Sequence, residues 1–292
     1  VLADIAAVLR CPVCGAGLTL GRAALRCAAG HAFDVARQGY VNLLTRRGAG
    51  TADTPAMVEA RERFLRAGHY APLMRAVADA GAGAAATGGQ ASGGRASGGQ
   101  ASGGAVVLDA GAGTGDYLAA TLAELPGAVG VALDTSVPAI RRAARAHERI
   151  GAVVADVWQR LPIADGAVDT VLNVFAPRNA DEFRRVLRPG GSLIVVVPLA
   201  EHLAELTGPL GLLSVDPDKE DRLAATLGGT FESRGATVVS GRLRLSRAEA
   251  LAAVEMGPSA HHLDASYAEL VNRWPEPIEV GYAVRVASYV RM

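Results

Sequence analysis

The sequence predicts an α/β protein: a mostly parallel β-sheet with helices on both faces, preceded by a small metal-ordered module. Three observations predict it. From residue 105 onward, continuous apolar runs of strand length alternate with helical segments, the pattern of a sheet buried on both faces. The first of these runs ends in Asp-Ala-Gly-Ala-Gly-Thr-Gly, 109–115, a glycine-rich turn at the carboxyl end of a first strand. All three cysteines fall within the first 27 residues, at spacings that suit a tetrahedral metal ion.

Composition narrows the classes before any motif is read. A chain of 292 residues suggests two domains, or one large domain with an appendage, at about 150 residues each. Half the residues are apolar and 20% are charged, so the chain can build a core and is not disordered as a whole. The formal net charge is zero, which excludes a protein basic all over but leaves room for a local basic patch. Only Lys219 among the 29 basic residues is a lysine, which reads as nucleotide bias rather than selection for RNA contact. Three cysteines are too few for a disulfide framework. No run of about 18 apolar residues suggests a membrane span. The opening VLADIAAVLR does not read as a secretory signal, so a reducing, cytoplasmic setting is expected.

The first module, 1–50, is built around Cys11-Pro-Val-Cys14, with Cys27 after twelve intervening residues and His31 four positions beyond that. Four borderline-soft ligands in this spacing suit zinc, and a filled tetrahedron is a structural rather than a catalytic site. Gly15, Gly17 and Gly30 allow the tight turns such a site needs. A module this small has almost no core, so metal binding and folding should be one event. Three buried free thiols with a chance histidine are the alternative. The module carries six arginines against two aspartates, a net +4; a nucleic-acid clamp or a solvated polar face could explain it.

Residues 51–87 read as connecting helices. Thr54 can cap the first, Pro55 suits its first position and Gly68 ends it; a second runs over roughly 71–80. Residues 88–104 repeat Gly-Gly-Gln/Arg-Ala-Ser and hold nothing apolar larger than alanine, so a flexible linker is expected. The second domain, 105–292, has strand-like runs at 105–110, 128–133, 152–156, 168–175 and 192–198, with helices near 115–125, 137–148 and 179–188. A helix near 217–228, a β-rich stretch 231–246, a helix near 247–256 and a β-rich stretch 276–290 should close the sheet with an antiparallel edge.

The ligand of this sheet is legible in its strand ends. Gly111 and Gly113 let the backbone approach a ligand closely, but the third glycine comes one position early for a nicotinamide turn. Asp109 ends the first strand, Asp134 the second and Asp156 the third. Asp134 can accept both ribose hydroxyls of a nucleoside, and Asp156 can reach an adenine amino group. Three carboxylates around one switch point favour a neutral-to-cationic adenosyl ligand over a pyrophosphate. S-adenosylmethionine fits, with its amine near Asp109. Each aspartate alone could be a turn or helix cap.

These residues resemble a known family. LDAGAGTG, VALDTS, VVADVWQRLP and LRPGG, within 106–197, resemble a class I, Rossmann-like methyltransferase with a seven-stranded mixed sheet. CPVC and C-x3-H with FDVARQGYVNLL, then RERFLRAGHYAPL, resemble the zinc-containing 23S rRNA (guanine-N1)-methyltransferases of the RlmA type. NVFAPRN and EHLAELTGPLGLL are most similar to the actinobacterial, TlrB-type branch of tylosin-resistance enzymes. The resemblance implies methylation of a guanine in a domain II hairpin of 23S rRNA, at the macrolide-binding exit tunnel. It matches Cys11, Cys14, Cys27 and His31 to zinc ligands, and Tyr70, Tyr117, Leu118 and His202 to cofactor contacts.

Guanine N1 carries a proton that must leave as the methyl arrives, and the base must leave its stack to be reached. Phe175 is placed to sandwich it, Asn173 to bond its edge and Arg178 to hold a phosphate; strand-end packing and a surface charge are the plainer readings of the three. No residue of 173–179 is an obvious general base. Two neighbouring guanines serve different branches, and that choice stays open. A two-fold dimer could grip the RNA with two zinc modules. Two rivals stand beside this reading: a small-molecule methyltransferase of antibiotic biosynthesis, and a zinc-dependent RNA-binding protein with a vestigial cofactor site.

Overall fold

The computed structural model describes residues 1–46, 52–90, 104–212, 225–262 and 266–292. Most of the expected linker and most of the helix expected near 217–228 lie outside them.

The sheet is built from β4 (Tyr40–Asn42), β5 (Val106–Ala110), β6 (Val129–Asp134), β7 (Ile150–Val154), β8 (Val168–Val174), β9 (Leu187–Pro198), β10 (Phe231–Leu245) and β11 (Ile278–Arg291), in the order β10-β11-β9-β8-β5-β6-β7-β4. Strands β4 to β9 are parallel to their neighbours, and β11 joins β9 antiparallel, as β10 joins β11. The antiparallel edge is the expected one. The sheet has eight strands rather than seven. The extra strand is β4, three residues of the cysteine-bearing segment that pair with β7 through Val41 opposite Val153. A three-residue strand has no periodicity to distinguish it from a loop, so only tertiary pairing reveals it.

Helices cover both faces. On one lie α2 (Pro55–Arg66), α3 (Ala71–Gln90), α4 (Asp116–Glu124), α5 (Val137–Ala146) and, near the antiparallel edge, α8 (Arg247–Glu255), with Phe64, Leu73, Leu118, Ile140 and Ala252 in one buried cluster. Thr54 caps α2 by accepting from the Met57 N–H at 3.3 Å, with Pro55 in the first turn. Helix α3 runs on to Gln90, ten residues beyond the expected stop and into the first repeat; its alanines favour helix, and it packs against β8, β9 and α4.

On the other face lie α1 (Leu2–Ala6) and α6 (Ala180–Val186), with Leu2, Ile5, Leu9, Phe183 and Val186 buried together. Ile5 fills the space above Gly151, where a Cβ would stand 2.3 Å from its Cδ1. The glycine inside β7 is the seat of the N-terminal helix. Strands β1 (Thr19–Leu20), β2 (Ala24–Arg26) and β3 (Ala32–Asp34) form a separate antiparallel ribbon. It is tied to the large domain by the Leu9–Ile163 bridge and by the Arg10 N–H donating to the Pro162 carbonyl at 2.9 Å. Two further short helices are α7 (Ala204–Thr207) and α9 (Ser266–Asn272). Among the described residues no helix is long and apolar enough to cross a membrane.

Candidate active site and metal centre

Two tight turns build the metal centre. The Gly15 N–H donates to the Cys11 carbonyl at 2.8 Å, and the Gly30 N–H to the Cys27 carbonyl at 3.1 Å. Both glycines have left-handed φ, +74° and +89°, which a side chain would oppose. The turns bring Cys11, Cys14, Cys27 and His31 together, their ligand atoms all within 4.8 Å of one another. Cys14 Sγ is 3.7 Å from Cys27 Sγ, and His31 Nδ1 is 3.6 Å from Cys11 Sγ and 3.4 Å from Cys27 Sγ. Zinc at ordinary bond lengths sets tetrahedral edges of about 3.8 Å between sulfurs and about 3.5 Å from sulfur to nitrogen. The donor set and its size therefore fit zinc, with all four positions taken by protein.

The second site lies at the carboxyl ends of β5, β6 and β7. Asp109 is 1% exposed, and both its carboxylate oxygens lack a hydrogen-bond partner. Burial first, then the carboxylates of Asp134 and Asp116, push its pKa up to about 8. A buried carboxylate with no donor is costly, and a cationic ligand would relieve it. Asp134 is braced differently. Its Oδ2 accepts from the Gly113 N–H at 2.9 Å and its Oδ1 from the Ser136 N–H at 2.8 Å; burial nonetheless raises its pKa. Asp156 sits two residues beyond β7, which ends at Val154 rather than at 156. The Ala155 N–H donates to the Asp134 carbonyl at 3.0 Å and so keeps Asp156 beside the second strand end. The Asp156 carboxylate accepts from the Trp158 N–H at 2.9 Å and from Gln159 Nε2 at 3.2 Å.

The glycine turn is required by two close approaches. A Cβ on Gly111, at φ +89°, would stand 2.4 Å from the Ala176 Cβ, and one on Gly113, at φ +53°, 3.0 Å from Nη1 of Arg61. Tyr117 and Leu118 follow in the first turn of α4, whose N-cap Gly115 offers no side-chain cap, so N–H groups are left for a ligand. The Leu118 side chain is fully buried and packs over Gly130; only its backbone can serve a ligand. Burial, with Tyr70 and Asp116 adding, holds the Tyr117 phenol well above its ordinary pKa, as a neutral donor.

An aromatic cluster forms the adjoining wall. Tyr70, 2% exposed, shares a hydrogen bond of 3.0 Å with His202 Nε2. Its ring lies 6.4 Å from Phe175, 6.0 Å from His202 and 5.7 Å from Tyr282. Phe175, 41% exposed, is held at φ +54°, an uncommon conformation for a bulky residue, with its ring 5.9 Å from His202. Asn173 is fully buried; its Nδ2 donates to the carbonyls of Ala110 at 3.2 Å and Pro177 at 2.8 Å, and its Oδ1 has no partner. Arg178 is half-buried. Burial lowers its pKa, with Tyr289 opposing.

Arg61, Asp53 and Tyr282 escaped the sequence reading. Arg61 pairs with Asp53, and its Nη2 donates to the Met256 carbonyl at 2.8 Å. Ser136 Oγ donates to the Asp53 carbonyl at 2.8 Å. Together they hold α2 over Gly113. The available signal was an arginine on the stripe Met57, Val58, Phe64, Leu65, all buried. Arg61→Ala should weaken binding of S-adenosylhomocysteine by about tenfold, read by calorimetry; an unchanged affinity would contradict this roofing role. Tyr282 faces Gly241 across β10, where a Cβ would meet its ring at 2.8 Å.

Two known families match parts of the chain. Residues 9–45 match the family described as RlmA, N-terminal, and residues 107–191 match a methyltransferase domain. The cofactors are accordingly S-adenosylmethionine and a structural zinc ion. The chain is 53% identical over 291 residues to a provisionally assigned 23S rRNA (guanine-N1)-methyltransferase of Micromonospora griseorubida, covering 98% of each chain. It is 48% identical over 273 residues to the 23S rRNA (guanine(748)-N1)-methyltransferase of Streptomyces fradiae, covering 94% of this chain and 92% of that one. With a zinc ribbon and a methyltransferase sheet in one chain, and relatives matched at this identity from end to end, the protein belongs to the RlmA-type family of 23S rRNA (guanine-N1)-methyltransferases.

Proposed function

We propose that this chain methylates N1 of a guanine in a domain II hairpin of 23S rRNA, lining the macrolide-binding exit tunnel, and so gives tylosin-type resistance. The observation that carries this reading is the near-complete match to the Streptomyces fradiae enzyme, whose name specifies guanine 748 and N1.

S-adenosylmethionine supplies a methyl group already activated on a sulfonium. The chain's work is to bind, align and exclude, and such positioning is worth roughly 7–11 kcal/mol. Asp109 holds the cofactor's amine, Asp134 the ribose hydroxyls and Asp156 the adenine amino group. Gly111 and Gly113 admit the backbone close to the ligand. Tyr117 and the Leu118 N–H line the helix end, and Tyr70 with His202 close the methionyl side. Phe175 stacks on the extruded guanine. With both Nδ2 donors of Asn173 engaged, its Oδ1 is the atom that accepts from the base edge. Arg178 holds a phosphate outside the wall.

Residues 1–50 act as the zinc-ordered RNA-recognition module, 51–87 as the connecting helices and 105–292 as the methyltransferase domain. Arg22, Arg26, Arg37 and Arg46 are all exposed, which supports RNA contact by the first module. The enzyme works in the cytoplasm on ribosomal RNA, and a homodimer would offer the hairpin two ribbons.

The test is transfer of labelled methyl from S-adenosylmethionine to a transcribed domain II hairpin. Label on the RNA, lost when the target guanine is replaced, is expected. Label on a small acceptor and none on RNA would overturn the reading.

A further inference from the structure

We propose that Trp158 is a stacking platform for a second nucleotide of the RNA, distinct from the target guanine, on a surface continuous with the zinc ribbon. The inference rests on the RNA reading above. Trp158 is 65% exposed, the most exposed large apolar side chain among the described residues. Its backbone is nonetheless fixed. The Trp158 N–H donates to Asp156 Oδ1 at 2.9 Å, Asn179 Nδ2 donates to the Val157 carbonyl at 3.0 Å, and the Leu161 N–H donates to Glu182 Oε2 at 2.7 Å. Val157, Leu161 and Ile163 are buried on either side. The indole therefore stands outward on a rigid loop, an arrangement that offers a stacking face at little ordering cost.

The surroundings favour a polyanion. Arg160 is largely exposed and lies 3.7 Å from Asp165, which also pairs with Arg185. Arg185, Arg160 and Arg10 all act on the Asp165 carboxylate, and Arg185 also pairs with Glu182 at 2.6 Å, so three guanidiniums face these two carboxylates. The loop is joined to the ribbon by the Ala164 N–H donating to the Val8 carbonyl at 2.8 Å, and by the Arg10 N–H donating to the Pro162 carbonyl at 2.9 Å. Trp158 follows β7 and Phe175 follows β8, with β5 and β6 between them. Three strand spacings put these ends about 14 Å apart, too far for one base to touch both rings.

Trp158 and Trp274 are the chain's two tryptophans, so Trp274→Phe leaves Trp158 as the sole indole emitter. Titrating that variant with the domain II hairpin should quench its emission, and saturating S-adenosylhomocysteine alone should not. Trp158→Ala should weaken hairpin binding by about tenfold or more, Trp158→Phe by less than about threefold, and both should keep S-adenosylhomocysteine affinity. Hairpin binding unchanged in Trp158→Ala would overturn the proposal. So would quenching by S-adenosylhomocysteine with loss of its affinity, which would assign the indole to the adenine instead. A wild-type chain that fails to bind the hairpin would overturn the RNA reading, and this proposal with it.

Discussion

Asp109→Asn should stabilise the cofactor-free protein while weakening cofactor binding by about a hundredfold or more. The carboxyl group has no donor in the fold, and burial pushes its pKa up from 3.8 to about 8. Between those values the folded chain keeps a proton that the unfolded chain has lost. Stability therefore falls as pH rises from about 4 to about 8. Asparagine does not titrate, so the stability gap between variant and wild type should widen across that window and level off above it. Wild-type affinity for S-adenosylhomocysteine should climb from pH 6 towards 8 as the carboxylate ionises, and the variant should lose that climb. Thermal melts and calorimetry across the window check both. A variant that binds as the wild type does would remove Asp109 from the cofactor site.

The second large effect concerns the zinc. Cys14 is the exposed thiol of the quartet, so Cys14→Ser removes a ligand without opening a hole in the core. A zinc ribbon of this size takes its folding energy from the metal. The variant should lose bound zinc and the order of β1–β3, and its RNA methylation should fall by at least about a hundredfold. S-adenosylhomocysteine binding should stay within a few-fold, because Asp109, Asp134 and Asp156 stand on other elements. Full RNA methylation by zinc-free protein would contradict the ribbon's role. Deleting 1–50 is a poorer test. It would strip β4 from β7 and Ile5 from the pocket over Gly151, exposing an edge and an apolar face of the sheet.

What the sequence made legible follows from range. Cys11, Cys14, Cys27 and His31 lie within 21 residues and report themselves by spacing. Strands β5, β6 and β8 are mostly apolar runs of strand length, and each fell within a residue or two of its expected limits. Gly15, Gly30, Gly111 and Gly113 have left-handed φ, whereas Gly17 does not. The hidden features depend on distant partners. Strand β4 exists because β7 has a free edge. Arg61 matters because Met256, 195 positions away, ends a helix beside it. Tyr282 packs over Gly241 because β10 and β11 pair in that register. Asp156 lies past its strand because the chain leaves the sheet at Val154 to carry the loop that holds Trp158.

The most direct measurement is primer extension on 23S rRNA from a host lacking its own enzyme, with and without this chain expressed. A methyl group on guanine N1 blocks Watson–Crick pairing, so one new stop in the domain II hairpin is predicted, absent with Asp109→Asn. No new stop anywhere in 23S rRNA, with cofactor binding intact, would contradict the account.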